Sequence, residues 1–184
     1  MYTGVIPVRY ARALLEFALE KSESDRVYAE MGMLAGSFSR EPGLRQALDN
    51  PVLPPAEKEK LVLSAAGGDV SDVLRRFVAL VTANRRERYL QSISLMYLDL
   101  YRKRNNISTG RLETAVPVSA ETEERLRARI ASETRGQVEL TTQVRPELIG
   151  GFVFEMDFER VDASVASQLR SIKRQFIEKN RRIV

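Results

Sequence analysis

The chain contains no cysteine and no histidine. The first absence removes disulfides and thiolate nucleophiles, and together they remove the usual zinc ligand sets. The second also removes imidazole, the side chain best placed to shuttle protons near neutral pH. Chemistry here would have to rely on carboxylates, Lys, Tyr or Ser, so the expectation is a non-enzyme with no catalytic residues, no metal and no cofactor. Long apolar runs are missing as well. Nothing approaches the roughly 18 residues that span a bilayer, so direct membrane insertion is not expected. The N-terminal MYTGVIPVRYARALLEFA lacks a signal peptide's continuous apolar stretch and cleavage site, and passes almost at once into a helical pattern. A strong excess of one charge is also absent. The net charge is +4, with 16 basic and 13 acidic residues up to Asn105 and 13 and 12 beyond it. Neither part is a basic block of the nucleic-acid type; only the C-terminal IKRQFIEKNRRIV is locally basic.

What is present suits a soluble globular protein: 184 residues, 43% hydrophobic and 29% charged, enough for one domain or two small ones with a real core. Up to Asn105 the apolar period is helical. Tyr10, Ala13, Leu14 and Phe17 recur at helical spacing between Val8 and Lys21. A second helix fits Ser24 to Ser39, and EPGLRQALDNP is a short third one between Pro42 and Pro51. PPAEKEKLVLSAAGG carries prolines and Glu in its first turn and glycines after its end. VSDVLRRFVALVTAN and RERYLQSISLMYLDLYRKR complete six helices with short connections, an all-α bundle over residues 1–105.

Beyond Asn105 the period changes, with the polar NNISTG (Asn105 to Gly110) as the boundary. RLETAVPV alternates, and Pro117 marks it as an edge strand. SAETEERLRARIASETRG is an amphipathic helix capped by Ser119 and ended by Gly136. QVELTTQV and GFVFEMDF alternate again, and a last helix runs from about Ala163 to Asn180. The expected fold class is therefore an α-helical six-helix bundle followed by a small α+β domain, β-α-β-β-α, over residues 106–184.

RPELIGGFVFEMDFERVDAS concentrates the features that could carry chemistry. Gly150 and Gly151 precede alternating residues rather than a helix, and neither GxxxxGK[ST] nor GxGxxG occurs, so this is no phosphate cradle. RPELIG reads as a hairpin link in which glycine permits positive φ or a bulge. Glu155, Asp157 and Glu159 share one strand face, opposite Phe152, Phe154, Met156 and Phe158. A flat strand face does not supply the converging oxygens that a hard cation needs, so these acids form a wet face. Asp162 reads as the N-cap of the last helix, with Ser164 just inside it. The roles of Gly150, Gly151 and Asp162 are structural.

Some helices carry more apolar surface than one core contact requires. Beyond its stripe, the first helix has Ala11, Leu15, Ala18 and Leu19 round the cylinder, leaving only the side of Arg12, Glu16 and Glu20 polar. The fifth has Val73, Phe77, Leu80 and Val81 as its main stripe, with Val78, Ala79 and Ala83 outside it. Either both helices sit centrally in the bundle, or a groove between them takes an amphipathic helix from another chain. In the last helix Val165, Leu169, Ile172 and Phe176 form a seam, with Arg170, Arg174 and Arg181 opposite. That helix either covers the sheet with a solvated basic back or offers a docking face.

Several stretches together carry a resemblance: RYARALLEFA, NPVLPPAEKEKL, LVTANRRERYL, ETAVPVS and PELIGGFVFEMDFERVDASVASQLRSIKRQF, in that order over nearly the whole chain. The chain resembles the delta subunits of bacterial F-type ATP synthases, counterparts of the mitochondrial oligomycin-sensitivity-conferring protein. Arg85 departs from the small or lysine residue that often follows the asparagine in that family. The resemblance implies a six-helix domain followed by a small α/β domain. It also implies a stator role, tying the catalytic head to the peripheral stalk so that torque becomes ATP synthesis. It implies that residues 1–105 take an alpha subunit's N-terminal helix between the first and fifth helices. Tyr10, Ala13, Leu14, Phe17, Phe77, Leu80, Val81 and Asn84 would carry that contact. Residues 106–184 would meet the b subunits through Arg170, Arg174, Phe176 and Arg181. Beta subunits are a further partner that the resemblance admits. The implied location is peripheral, on the cytoplasmic face of a bacterial inner membrane. The alternative is an RNA-binding or protein-binding adaptor, because β-α-β-β-α units and a basic C-terminus occur there. Against RNA, and so against a nucleic-acid partner, the acids of the strand's outward side would repel phosphate where base-stacking aromatics or arginines are needed.

Overall fold

A computed structural model of the chain describes residues 4–134, 137–156 and 159–181. Gly136, Asp157 and Phe158 lie outside the described residues, as does the side chain of Arg181. Internal contacts divide the chain into two units, Met1–Arg104 and Asn105–Val184.

The first unit is helical: α1 (Val5–Glu20), α2 (Ser24–Arg40), α3 (Pro42–Asp49), α4 (Pro55–Ala65), α5 (Asp72–Ala83) and α6 (Leu90–Asn105), the last entered through a 3-10 turn at Glu87–Tyr89. Local chemistry sets the ends. Pro55 opens α4, where a missing N–H costs nothing, and Gly67 and Gly68 leave it with positive φ. The Ser71 hydroxyl caps α5 by accepting from the Leu74 N–H at 3.2 Å. Leu14, Met31, Leu34, Leu74, Val78, Leu90 and Ile93 are enclosed at the centre. Tyr97 lies with them; its hydroxyl donates to the Ser24 carbonyl at 3.3 Å, and burial pushes its phenol well above the ordinary value.

One buried carboxylate joins the helices at long range. Glu30 of α2, 2% exposed, accepts from the Ser71 N–H and the Ser71 hydroxyl, both at 2.6 Å. It also accepts from Arg26 Nε at 3.2 Å. The start of α5 is therefore tied to α2 through a charge-assisted pair of bonds spanning 41 residues of sequence.

The second unit is a four-stranded mixed sheet with two helices: β1 (Ile107–Thr114), α7 (Ala120–Thr134), β2 (Gln137–Val144), β3 (Phe152–Met156), β4 (Glu159–Asp162) and α8 (Val165–Arg181). The strand order is β2-β1-β3-β4. β1 and β2 run parallel with Leu112 opposite Thr142, joined through α7, which packs on β2. β3 is antiparallel to β1, Phe154 facing Leu112, and β4 antiparallel to β3.

Four sequence expectations are corrected here. The order is β-α-β-β-β-α: β4 was missed because its four residues are all exposed and mostly charged, so no apolar alternation betrays it. Arg145–Gly150 is not a hairpin link, because β1 lies between β2 and β3. The link instead crosses the end of β1 through a 3-10 turn at Pro146–Leu148, held by the Arg145 N–H donating to the Thr114 carbonyl at 2.7 Å. β1 is a central strand that begins inside the supposed boundary loop, at Ile107, and ends three residues before Pro117. Pro117 therefore stops the strand region rather than marking an edge. Finally, the fully buried residue of β3 is Val153, beside its register partner Glu113, whereas Phe152 is 41% exposed. Alternation says that two faces differ; packing at the sheet's end decides which is covered.

The glycines and Asp162 close this unit. Gly151 has φ 72°, and a Cβ there would collide with the Ala163 carbonyl oxygen. At Gly150 a Cβ would come within 3.0 Å of Val165 Cγ2, so glycine lets α8 start close to the link. Asp162 is not the cap itself. Ser164 is: its hydroxyl accepts from the Ser167 N–H at 3.3 Å. Asp162 stands two residues earlier and accepts from the Ser164 N–H at 3.0 Å and from the Ser164 and Ser167 hydroxyls at 2.7 Å each.

Replacing Glu30 with Ala strands the Ser71 N–H and hydroxyl in a dry site. The expected cost is about 2–4 kcal/mol, lowering the melting temperature by roughly 10 °C or more. Arg26→Ala, which removes a half-exposed partner, is expected to cost below about 1 kcal/mol. Thermal melts followed by circular dichroism compare them. Equal losses would transfer the credit from the Ser71 bonds to the ion pair.

Candidate functional site

α1 buries one arc of its surface in the helical unit: Pro7, Ala11, Leu14, Leu15 and Ala18. These positions follow helical spacing as well as the Tyr10–Phe17 stripe does, and their alanines allow neighbouring helices close approach. Tyr10, Ala13 and Phe17 consequently fall to one side of the core, and α5 meets them there. α5 turns Val73, Leu74, Phe77, Val78 and Val81 inward.

Between the two helices lies an open groove of about 610 Å³. Its floor and walls are Tyr10, Ala13, Leu14, Phe17, Phe77 and Leu80, and its rim is Arg9, Arg76 and Arg86. Leu14 and Phe77 are buried, Tyr10 and Phe17 half-buried, and Ala13 exposed. Leu80 is 54% exposed, unusual for a leucine on a helix with so much core available. The Tyr10 and Phe77 rings meet edge to face at 6.2 Å, which props the groove at one end. Arg86 Nη1 donates to the Tyr10 hydroxyl at 3.0 Å, with its guanidinium 5.3 Å from the ring centre.

The structure thus brings six of the eight sequence-selected residues to one groove. Val81 is fully enclosed and does not line it. Asn84 is exposed at the end of α5, where its side chain donates to the Leu80 carbonyl at 2.7 Å and finishes the helix. Arg9 and Arg76 were not picked out from the sequence, whereas Arg86 closes the asparagine-x-arginine step that belongs to the family resemblance. A local signal existed: Arg9 and Arg76 immediately precede the aromatics Tyr10 and Phe77. Arg86 arrives from the connection after α5 and is not followed by an aromatic.

In the second unit the apolar seam of α8 does not cover the sheet. Leu169, Ile172 and Phe176 are about half exposed or more, Phe176 reaching 65%. Val165 packs near the link, its N–H donating to the Gly150 carbonyl. Arg170 and Arg174 are exposed on another side of the helix from Phe176.

A separate polar hollow joins two of the stretches quoted above. Lys58 of α4 and Glu87 are both buried, 3.5 Å apart, and Lys58 Nζ also donates to the Leu48 carbonyl at 2.6 Å. With each charge partnered, this pair anchors α3, α4 and the turn before α6 rather than offering a site. Among the described residues, no group of three or more acidic side chains is placed to hold a metal ion.

Comparison with known proteins agrees over the whole length. The family model described as ATP synthase delta (OSCP) subunit matches residues 6–176. The chain is 56% identical to the ATP synthase subunit delta of Phocaeicola vulgatus and 51% identical to that of Bacteroides thetaiotaomicron, each alignment covering 100% of both chains. The subunit of Symbiobacterium thermophilum is 30% identical, over 100% of this chain and 99% of its own. Among solved structures, a chain in the mitochondrial ATP synthase hexamer of Toxoplasma gondii shares the fold. That match has a TM-score of 0.68 at 17% identity and covers 95% of this chain and 98% of that one.

The start of α8 supplies a pH test. Hydrogen bonds from the Ser164 and Ser167 hydroxyls, then the Ser164 N–H, hold the Asp162 carboxyl down to about 2. A depressed carboxyl supports the fold fully above its ordinary value near 3.8, and that support fades as pH falls towards 2. The Asp162 carboxyl carbon and the Ser164 and Ser167 amides should therefore titrate together in NMR spectra with a midpoint near 2. In Asp162→Asn the amide titration should vanish. A midpoint near 4 would rule the network out.

Proposed function

We propose, for a chain that belongs to the ATP synthase delta (OSCP) subunit family, the role of a non-catalytic stator subunit of a proton-translocating F-type ATP synthase. It links the catalytic head to the peripheral stalk, so that the head resists the rotation of the central shaft and torque is coupled to ATP synthesis. A connector of this kind needs two binding surfaces and no reactive centre. The observation that carries the reading is the open apolar groove between α1 and α5, which leaves Ala13 and Leu80 exposed and Tyr10 and Phe17 only half-buried. A second uncovered apolar surface, the α8 seam, lies on the other unit.

In this reading the helical unit receives the N-terminal helix of an alpha subunit in the groove, with Ala13 permitting close approach and Tyr10, Phe17 and Leu80 taking its apolar side chains. The sheet-bearing unit meets the b subunits through α8, where Leu169, Ile172 and Phe176 supply the apolar contact and Arg170, Arg174 and Arg181 a basic flank. Beta subunits are further partners in this reading. No described helix is long and apolar enough to cross a membrane. Attachment through the complex places the subunit peripherally, on the cytoplasmic face of a bacterial inner membrane.

Ala13 and Leu80 provide the test because both face solvent. Ala13→Asp and Leu80→Asp each put a carboxylate into a contact that becomes dry when the alpha helix docks. The affinity of the full chain for an alpha N-terminal peptide should fall about a hundredfold or more, some 2.7 kcal/mol. The melting temperature should stay within a few degrees of the parent. Calorimetric titration beside thermal melts decides it: unchanged affinity in both variants removes the alpha helix from this groove.

A further inference from the structure

The groove's rim has a character that its apolar floor does not explain. Arg9 stands on the α1 side, Arg76 on the α5 side, and Arg86 at the end braced by Tyr10. None of the described residues lining the groove is acidic. The nearby acids do not cancel the rim. Asp72 pairs with Arg76 at 2.7 Å, but both side chains are largely exposed, where such a pair holds weakly. Glu16 lines a neighbouring hollow on α1, together with Arg9 and Arg12. Arg9 has no ion-pair partner among the described residues. The Arg86 guanidinium is already ordered by the Tyr10 hydroxyl, so a partner's carboxylate would meet it with little further loss of side-chain freedom.

We propose that these arginines select the groove's occupant by charge: it is an amphipathic helix with carboxylates on both flanks of its apolar stripe. This rests on the groove reading above and adds what that reading leaves open, the polar chemistry of the partner helix. The apolar stripe supplies most of the affinity, while the rim steers the encounter and fixes how the helix lies between α1 and α5. Because the rim is exposed, its share is screened by salt, whereas the floor's share is not.

The experiment uses the full chain and two peptides: the N-terminal segment of the alpha subunit, and the same segment with every Asp and Glu changed to Asn or Gln. Affinities are measured by calorimetric titration between 50 and 300 mM NaCl for the parent, Arg9→Glu, Arg76→Glu and the double variant. At low salt each reversal should weaken the acidic peptide roughly three- to tenfold, and the double variant more. The amidated peptide should already bind about that much more weakly to the parent and be nearly indifferent to the reversals. The differences should shrink as salt rises. Equal affinities for the two peptides, or reversals that leave the acidic peptide unaffected at low salt, overturn the selection by charge. Leu80→Asp separates the two readings. If it abolishes binding while the arginines do not matter, the groove stands and the rim inference falls. If neither peptide binds the parent, or Leu80→Asp leaves binding unchanged, both fall.

Discussion

Glu30 holds the helical unit in the form that makes a groove. Its carboxylate takes both the N–H and the hydroxyl of Ser71, the residue that caps α5, and so anchors the first turn of that helix to α2. α1, α2 and α5 pack against one another, so pinning α5 on α2 also sets its spacing from α1. A buried carboxylate is expensive to desolvate, and only fully made hydrogen bonds offset that cost. What results is directional in a way that apolar packing is not: the first turn of α5 is held in one orientation on α2.

That restraint explains how an apolar groove stays open in water. Left to hydrophobic association alone, two helices carrying Tyr10, Phe17, Phe77 and Leu80 would close on each other. The edge-to-face pair of Tyr10 and Phe77 and the bond from Arg86 to Tyr10 act as spacers at one end, while Glu30 fixes α5 from behind. The uncovered surface is a standing cost to the free protein. In the proposed reading it is recovered when a helix docks, and a stator contact has to be strong because it bears torque.

The second unit solves a different problem with fewer means. Among its described residues the buried apolar side chains are Leu112, Ile130, Leu148 and Val153, a small core for a four-stranded sheet. Backbone and polar devices do much of the positioning: the parallel pair of β1 and β2, the Arg145–Glu113 ion pair at 2.7 Å, Gly151 against Ala163, and Asp162 beneath the start of α8. α8 keeps most of its seam uncovered, which suits the proposed contact with another chain.

The helices were legible in the sequence because their signals are local: the 3.6-residue period, Pro55 at a start, Gly67 and Gly68 after an end. The surplus of apolar surface on α1 was legible too, and so was the family, through ordered stretches along the whole chain. The sequence did not say which apolar stripe of α1 faces the core, because Ala11–Leu15–Ala18 and Tyr10–Leu14–Phe17 satisfy the same period. Nor did it show that β1 is central, that Arg145–Gly150 crosses over it, or that exposed Glu159–Asp162 pairs with β3, since strand neighbours are chosen by contacts far apart in the chain. The groove's rim joins Arg9 to Arg76 and Arg86, and its anchor joins Glu30 to Ser71. Periodicity determines what each segment can become. Only tertiary packing decides which faces meet, because desolvation and hydrogen bonding act between neighbours in space.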